Sequence, residues 1–157
     1  MPGDNTSKDG EQTVFHELSI SNPQTGYAVD LRGGLIDFRL YESILSNHIP
    51  AEVIIGETGH SIKVGNKMKN VLDGLPVRGG EPVRIRATDP QGNEISFVGE
   101  NALYVNKVRQ VLTDTTRSIF TLDLCTKEYL ANEQSRVKKR YSGKISESVN
   151  KLSLIHI

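Results

Sequence analysis

Apolar and polar residues alternate with period two along most of this chain, and the period becomes helical near Cys125. Val83, Ile85 and Ala87 point one way from an extended backbone while Arg84 and Arg86 point the other. That pattern predicts a strand over residues 82–88 with one buried face. Asp89-Pro90-Gln91-Gly92-Asn93 is turn chemistry, and Ile95 and Phe97 carry the return strand of a hairpin. Upstream, Val14, Leu18 and Ile20 predict a first strand, closed by the Asn22-Pro23-Gln24-Thr25-Gly26 turn. Residues 35–44 predict a second, with Ile36, Phe38, Leu40 and Glu42 sharing a face. Val53, Ile54 and Ile55 give residues 51–57 β-branched character, ended by a turn from Gly56 to Gly59. Residues 67–73 suit two turns of helix before Gly74 and Pro76 stop it.

Further on, residues 102–113 predict a long strand whose alternation slips near Asn106 and Lys107, as at a bulge. Asp114-Thr115-Thr116 turns the chain back into residues 118–124, where Phe120, Leu122 and Leu124 line one face. Thr126 is then placed as a helix N-cap with Glu128 in the first turn. Leu130, Gln134, Val137 and Tyr141 follow helical spacing, with Lys138-Lys139-Arg140 at the C-terminal end. Ser142-Gly143 breaks that helix, and Ile145, Val149 and Leu152 begin a second amphipathic one.

These elements predict a mainly β (α+β) fold. It is a six- to seven-stranded antiparallel barrel or sandwich, with a short helix near 67–73 and a C-terminal helical hairpin. The expected organisation is a polar, disordered lead over residues 1–12, the β-barrel over 13–125 and the hairpin over 126–151. Leu152-Ser153-Leu154-Ile155-His156-Ile157 matches the in-frame translation of a transposon-end sequencing adapter. On that reading residues 152–157 are an artefact and the hairpin leads to a missing C-terminal part; the alternative is a short terminal strand.

Between the predicted helix and the strand at 82–88 lies Leu75-Pro76-Val77-Arg78-Gly79-Gly80-Glu81. Pro76 presets its φ, and Gly79 and Gly80 accept positive φ, so these three residues read as a structural turn. The 157 residues suffice for one domain with a real core. Nineteen basic residues balance nineteen acidic ones, so no overall field draws the chain to nucleic acid or an anionic membrane. The single Cys125 excludes an intrachain disulfide, and no apolar run approaches the ~20 residues of a membrane span.

Catalytic chemistry is hard to find. His16, His48, His60 and His156 share no metal-ligand spacing, Cys125 has no CxxC partner, and no phosphate-binding glycine loop is present. Gly56-Glu57-Thr58-Gly59-His60-Ser61 reads either as a ligand loop or, better, as a plain hairpin turn. Glu42, inside an apolar strand, is a candidate buried acid, but an interface or edge charge suits it better since no partner is evident. Cys125, at a strand-to-helix junction, is either an activated thiol or, more simply, a small core residue. Arg136-Val137-Lys138-Lys139-Arg140 is the one basic cluster, readable as phosphate-contacting or as the solvated end of a helix. No enzyme, cofactor or metal site is expected.

The order of these pieces carries a resemblance. Phe38-Arg39-Leu40-Tyr41-Glu42-Ser43-Ile44, the 51–56 strand, the 75–81 turn and Leu103-Tyr104-Val105-Asn106-Lys107-Val108 come in sequence. Then follow Thr121-Leu122-Asp123-Leu124-Cys125-Thr126-Lys127-Glu128-Tyr129, Arg136-Val137-Lys138-Lys139-Arg140-Tyr141 and Lys144-Ile145-Ser146-Glu147-Ser148-Val149. Together, over residues 27–152, they resemble the tube-type N-terminal domain of contractile-tailed phage baseplate hub proteins. The resemblance implies a structural virion protein of the tail baseplate, assembled in the host cytoplasm. It implies a homotrimer in which two similar barrels per subunit adapt a threefold spike to a sixfold tail tube. Spike and tube proteins would be the partners, with no membrane, and nucleic acid would meet the protein only by passing through the channel. Tyr41, Glu42, Arg84 and Arg86 are the residues placed at a subunit interface. A spike-base component of a tailocin or type VI-like machine is the nearby alternative. A small β-barrel that binds nucleic acid through residues 136–140 is the alternative of another class.

Overall fold

The alternating segments become strands wherever their apolar residues can meet across one interior. The computed structural model describes residues 12–58, 62–113, 117–135 and 142–153. In chain order the strands are β1 (Val14–Ser21), β2 (Ala28–Asp30), β3 (Leu35–Leu40), β4 (Ala51–Glu57), β5 (Ile62–Val64), β6 (Lys67–Lys69), β7 (Pro82–Thr88), β8 (Glu94–Phe97), β9 (Leu103–Thr113) and β10 (Ser118–Cys125). The helices are α1 (Val71–Gly74), between β6 and β7, and α2 (Lys127–Gln134) and α3 (Ile145–Ser153) after β10. The fold is mainly β, as the alternation predicted. Eight strands form one antiparallel sheet in the order β2-β1-β7-β9-β10-β4-β3, with β8 branching from β7, and β5-β6 form a separate hairpin.

Connectivity explains why this sheet curls. Its two outermost strands, β2 and β3, are consecutive in sequence and are joined by a single 3-10 turn at Arg32–Gly34. That short link requires the ends of a seven-strand path to approach each other. Phe15 of β1 and Phe38 of β3 meet edge to face at 5.6 Å across the resulting trough. The Leu31 N–H donates to the Leu18 carbonyl at 2.8 Å, and Arg32 Nη1 donates to the His16 carbonyl at 3.0 Å. The link thus covers part of the edge of β1 that β2 leaves unpaired. An open edge would otherwise be a template for unwanted pairing.

The interior is built from one face of each long strand. Leu18, Ile20, Val53, Ile55, Val83, Ile85, Leu103, Val105, Phe120, Leu122 and Leu124 are buried in one cluster. Burying a side chain of this size stabilises the fold by roughly 1.5–3 kcal/mol. The Phe120/Leu122/Leu124 and Val83/Ile85/Ala87 faces are buried as their alternation predicted, and Arg84 and Arg86 are exposed. In β9 the slip near Asn106 is real. Asp123 pairs with Lys107 and Leu124 with Val105, leaving Asn106 unpaired between them.

Two other bulges change faces that simple alternation had assigned. In β1 the register shifts between Phe15 and Glu17, so Phe15 packs on the core with Leu18 and Ile20 while Val14 is exposed. In β3 the shift between Leu35 and Asp37 turns Ile36 outward and leaves Leu35, Phe38 and Leu40 against the core. The expectation that Ile36 shares a face with Phe38 and Leu40 is therefore corrected. β3 also ends at Leu40 rather than 44, because Ser43, Ser46 and Pro50 take the chain into a loop.

The helix expected near 67–73 is a single turn. Residues 67–69 pair with Ile62–Val64 as β6, and Asn70 starts α1 by accepting a hydrogen bond from the Asp73 N–H at 2.6 Å. α2 stops at Gln134, where Ser135 adopts an extended backbone. The continuation of that helix through Tyr141, the basic cluster at 136–140, the turn at 114–116, the lead over 1–11 and residues 154–157 lie outside the described residues. Leu152 and Ser153 belong to the backbone of α3.

Candidate functional site

The turn at 75–81 is organised by a residue that the glycines conceal. Gly79 and Gly80 have φ of +105° and +85°. These angles aim successive backbone N–H groups at the Glu81 side chain. Glu81 is 5 % exposed, and its carboxylate accepts from the Arg78 N–H at 2.7 Å and the Gly79 N–H at 2.8 Å. The backbone on either side is clamped to β9: the Gly80 N–H donates to the Val105 carbonyl at 2.7 Å, and the Val105 N–H to the Glu81 carbonyl at 2.9 Å. Pro76, Gly79 and Gly80 border a small cavity of about 190 Å³, with Asn22, Pro23 and Gln24 opposite. The Glu81 carboxylate and the backbone groups described in this turn are thus engaged by the fold's own backbone.

Glu57 plays a parallel part at the far end of β4. It is 9 % exposed, accepts from the Val71 N–H at 2.8 Å, and receives the Ser118 hydroxyl at 3.2 Å. A carboxylate at the first N–H of α1 ties the β5–α1 excursion to the sheet. Nothing in the local pattern foretold this, because the partner is fourteen residues away.

The four residues expected at an interface are all exposed, but they fall in two places. Arg84 and Arg86 sit on the outer face of β7. Tyr41 and Glu42 follow β3, with β9, β10 and β4 intervening in the sheet. Glu42 is exposed, which excludes the buried-acid alternative and agrees with the preferred reading of a surface charge, but it lies in a loop and not in a strand, since β3 has already ended. Its loop, residues 41–50, is held at both ends. The Tyr41 N–H donates to the Pro50 carbonyl at 3.0 Å, the Tyr41 hydroxyl to Glu52 at 3.3 Å, and the His48 ring stacks on Tyr129 of α2 at 4.2 Å. Within it the Ser43 hydroxyl accepts from the Leu45 N–H at 3.2 Å. Ile44 and Leu45 project from this braced loop with 100 % and 94 % of their surface exposed.

An ionic row crosses the outer face behind the loop. Arg109 of β9 binds Asp123 of β10 through Nε and Nη2, and Nη2 also reaches Glu52 of β4 at 2.7 Å. Arg39 of β3 contacts Asp37 at 2.8 Å and Glu52 at 3.8 Å. The neighbouring carboxylates raise both guanidinium pKa values, by hydrogen bonding from Asp123 first for Arg109 and by the charge of Asp37 first for Arg39. All partners are partly solvated, so each pair contributes little.

At the opposite end of β3 and β4 an apolar cleft of about 490 Å³ opens between the 3-10 turn and β10. Leu31, Ile36, Ile55, Val71, Leu112 and Ile119 line it, and Arg117 stands among its lining residues. Gly34 makes the cleft's wall possible: a Cβ there would lie 2.4 Å from the Gly56 carbonyl oxygen. The bulge that exposes Ile36 is what lines this cleft, and a bulge leaves no signature in residue type alone.

Cys125 is a core residue. The residue is 1 % exposed, and its thiol faces the Tyr104 carbonyl at 3.7 Å and is pushed up to about 11 by burial. That places it opposite to an activated nucleophile. Among the described residues no cluster of His, Cys, Asp and Glu could hold a metal ion, and no helix is long and apolar enough to cross a membrane. No family profile, curated protein or solved structure matches this chain. Among the described residues the geometry offers braced surfaces and an apolar cleft.

Proposed function

We propose that this chain is a structural, non-enzymatic assembly module: part of a tail-baseplate hub that joins a central spike to a tail tube and helps form the channel. The observation that carries the reading is the curled antiparallel sheet, with a braced apolar loop at one end and an apolar cleft at the other. A curled sheet gives each subunit a concave core side and a convex side free for neighbours. The residue order quoted for the hub resemblance supports the choice of a tail machine over other assemblies. A spike-base part of a tailocin or type VI-like machine is served by the same architecture, and neighbouring capsid and terminase genes rather than effector genes distinguish the two. Of the described cations, Arg32, Arg39 and Arg109 are engaged by carboxylates, which disfavours a phosphate-binding face there.

The test is direct. The protein, expressed from its complete open reading frame, is expected to form threefold rings in negative-stain images and to sediment with tail particles. A strictly monomeric protein that is absent from particles refutes the reading.

A further inference from the structure

We infer that the Ile44–Leu45 loop of one chain seats in the apolar cleft of a second copy, giving a head-to-tail contact. The inference gives the proposed ring its contact and rests on that reading only for the ring's purpose.

Three observations lead to it. Ile44 and Leu45 are the most exposed large apolar side chains among the described residues, yet they stand on a loop braced by Tyr41, Ser43 and the His48–Tyr129 stack. Such bracing lowers the ordering cost of inserting them into a partner. The cleft is apolar and, at about 490 Å³, large enough to take two aliphatic side chains. Ile36 and Leu112 at its mouth are 57 % and 56 % exposed. Loop and cleft also lie at opposite ends of the β3–β4 ladder, whose register runs from Leu40↔Ala51 to Leu35↔Ile55. Six strand residues separate them by roughly 20 Å, so the loop cannot fill its own cleft.

Charge decides in favour of a second copy rather than an unrelated apolar partner. Glu42, two residues before Ile44, is exposed and has no ion-pair partner among the described residues. The same holds for Arg117 at the cleft, whereas the carboxylates that also line it are already engaged, Asp30 by Arg32 at 2.6 Å and Glu57 by the Val71 N–H and the Ser118 hydroxyl. Seating the loop brings these opposite charges to the same rim, where complementary charges fix register. A contact between two different patches of identical chains is heterologous, and it yields a ring where the rotation closes.

Sedimentation velocity across a concentration series, followed by a mixing experiment, tests the contact. The parent chain is expected to gain weight-average mass with concentration. Ile44→Asp with Leu45→Asp disables the loop, and Ile36→Asp with Leu112→Asp disables the cleft; every one of these positions is exposed, and circular dichroism checks each fold. Each double variant alone is expected to lose self-association by about tenfold or more, as removal of central anchors does. Mixed together they pair one to one, because the loop variant keeps its cleft and the cleft variant keeps its loop. Glu42→Arg is expected to weaken the parent's association and Arg117→Glu, added to it, to restore it. A parent that is monomeric throughout, a loop variant that associates like the parent, or folded variants that do not pair on mixing each overturn the inference. A chain found in tail particles that fails the mixing test refutes this contact alone. A chain that passes but is absent from particles refutes the hub reading alone.

Discussion

Replacing Glu81 by alanine removes the acceptor for two backbone N–H groups in the turn before β7. Each charge-assisted hydrogen bond of this kind is worth about 1.5–3 kcal/mol. Arg78 is exposed, so water can replace one of the two bonds in part. The net expected cost of Glu81→Ala is therefore about 3 kcal/mol, which lowers Tm by ~6–12 °C in a chain of this length. Glu81→Gln keeps one acceptor oxygen and turns an amide NH₂ toward the other donor, and its cost is about half as large. Glu94→Ala, on the exposed face of β8, serves as the control and is expected within about 0.5 kcal/mol of the parent. The chain has no tryptophan, so far-UV circular dichroism in urea is the suitable readout. A Glu81→Ala variant within about 0.5 kcal/mol of the parent, at unchanged m, refutes the assignment of Glu81 as the turn's organiser.

Gly34→Ala places a Cβ against the Gly56 carbonyl and is expected to cost about 1–3 kcal/mol in urea melts, whereas Gly33→Ala, facing open space, leaves stability unchanged. Asp30 and Asp89 have pKa values held below the ordinary 3.8, Asp30 chiefly by its side-chain bond to Arg32 and Asp89 by its bond to Asn93. Their contribution to stability is complete above the unfolded value and is lost as pH falls through the lower folded values, so carboxyl NMR titration of both is expected to give midpoints below 3.8. The Cys125 thiol is expected to resist a disulfide reagent at pH 8 in the native chain and to react at once on unfolding; rapid native reaction contradicts its burial.

How much of this was legible beforehand depended on how local the cause was. The Asp89–Asn93 turn, the β7 face and the β10 face follow from neighbours in sequence, and these were readable. So was the Asn106 slip, because two alternations of opposite phase meet there. The bulges at His16 and Ile36 were not, since each is forced by the partner strand's register and not by residue type. Glu42 was misplaced for a related reason: its loop begins where backbone bonding to Pro50 and Ser43 replaces pairing. The surfaces that carry the proposed function combine Gly34 with Gly56 and Ile36 with Leu112, which meet only because β3, β4, β10 and β9 pair side by side in that order, a non-local register that residue type does not reveal.

That β10 is the last strand among the described residues yet lies between β9 and β4 has a consequence for biosynthesis. Until Cys125 has left the ribosome, β4 lacks one of its two neighbours and Val53, Ile54 and Ile55 present an unpaired β-branched edge. β1 likewise pairs with β7 across more than sixty residues of chain. Closing such distant contacts is slow. The nascent chain therefore passes through a long interval in which its stickiest strand is exposed, and a chaperone that engages residues 51–57 is the factor whose loss should most reduce the soluble yield.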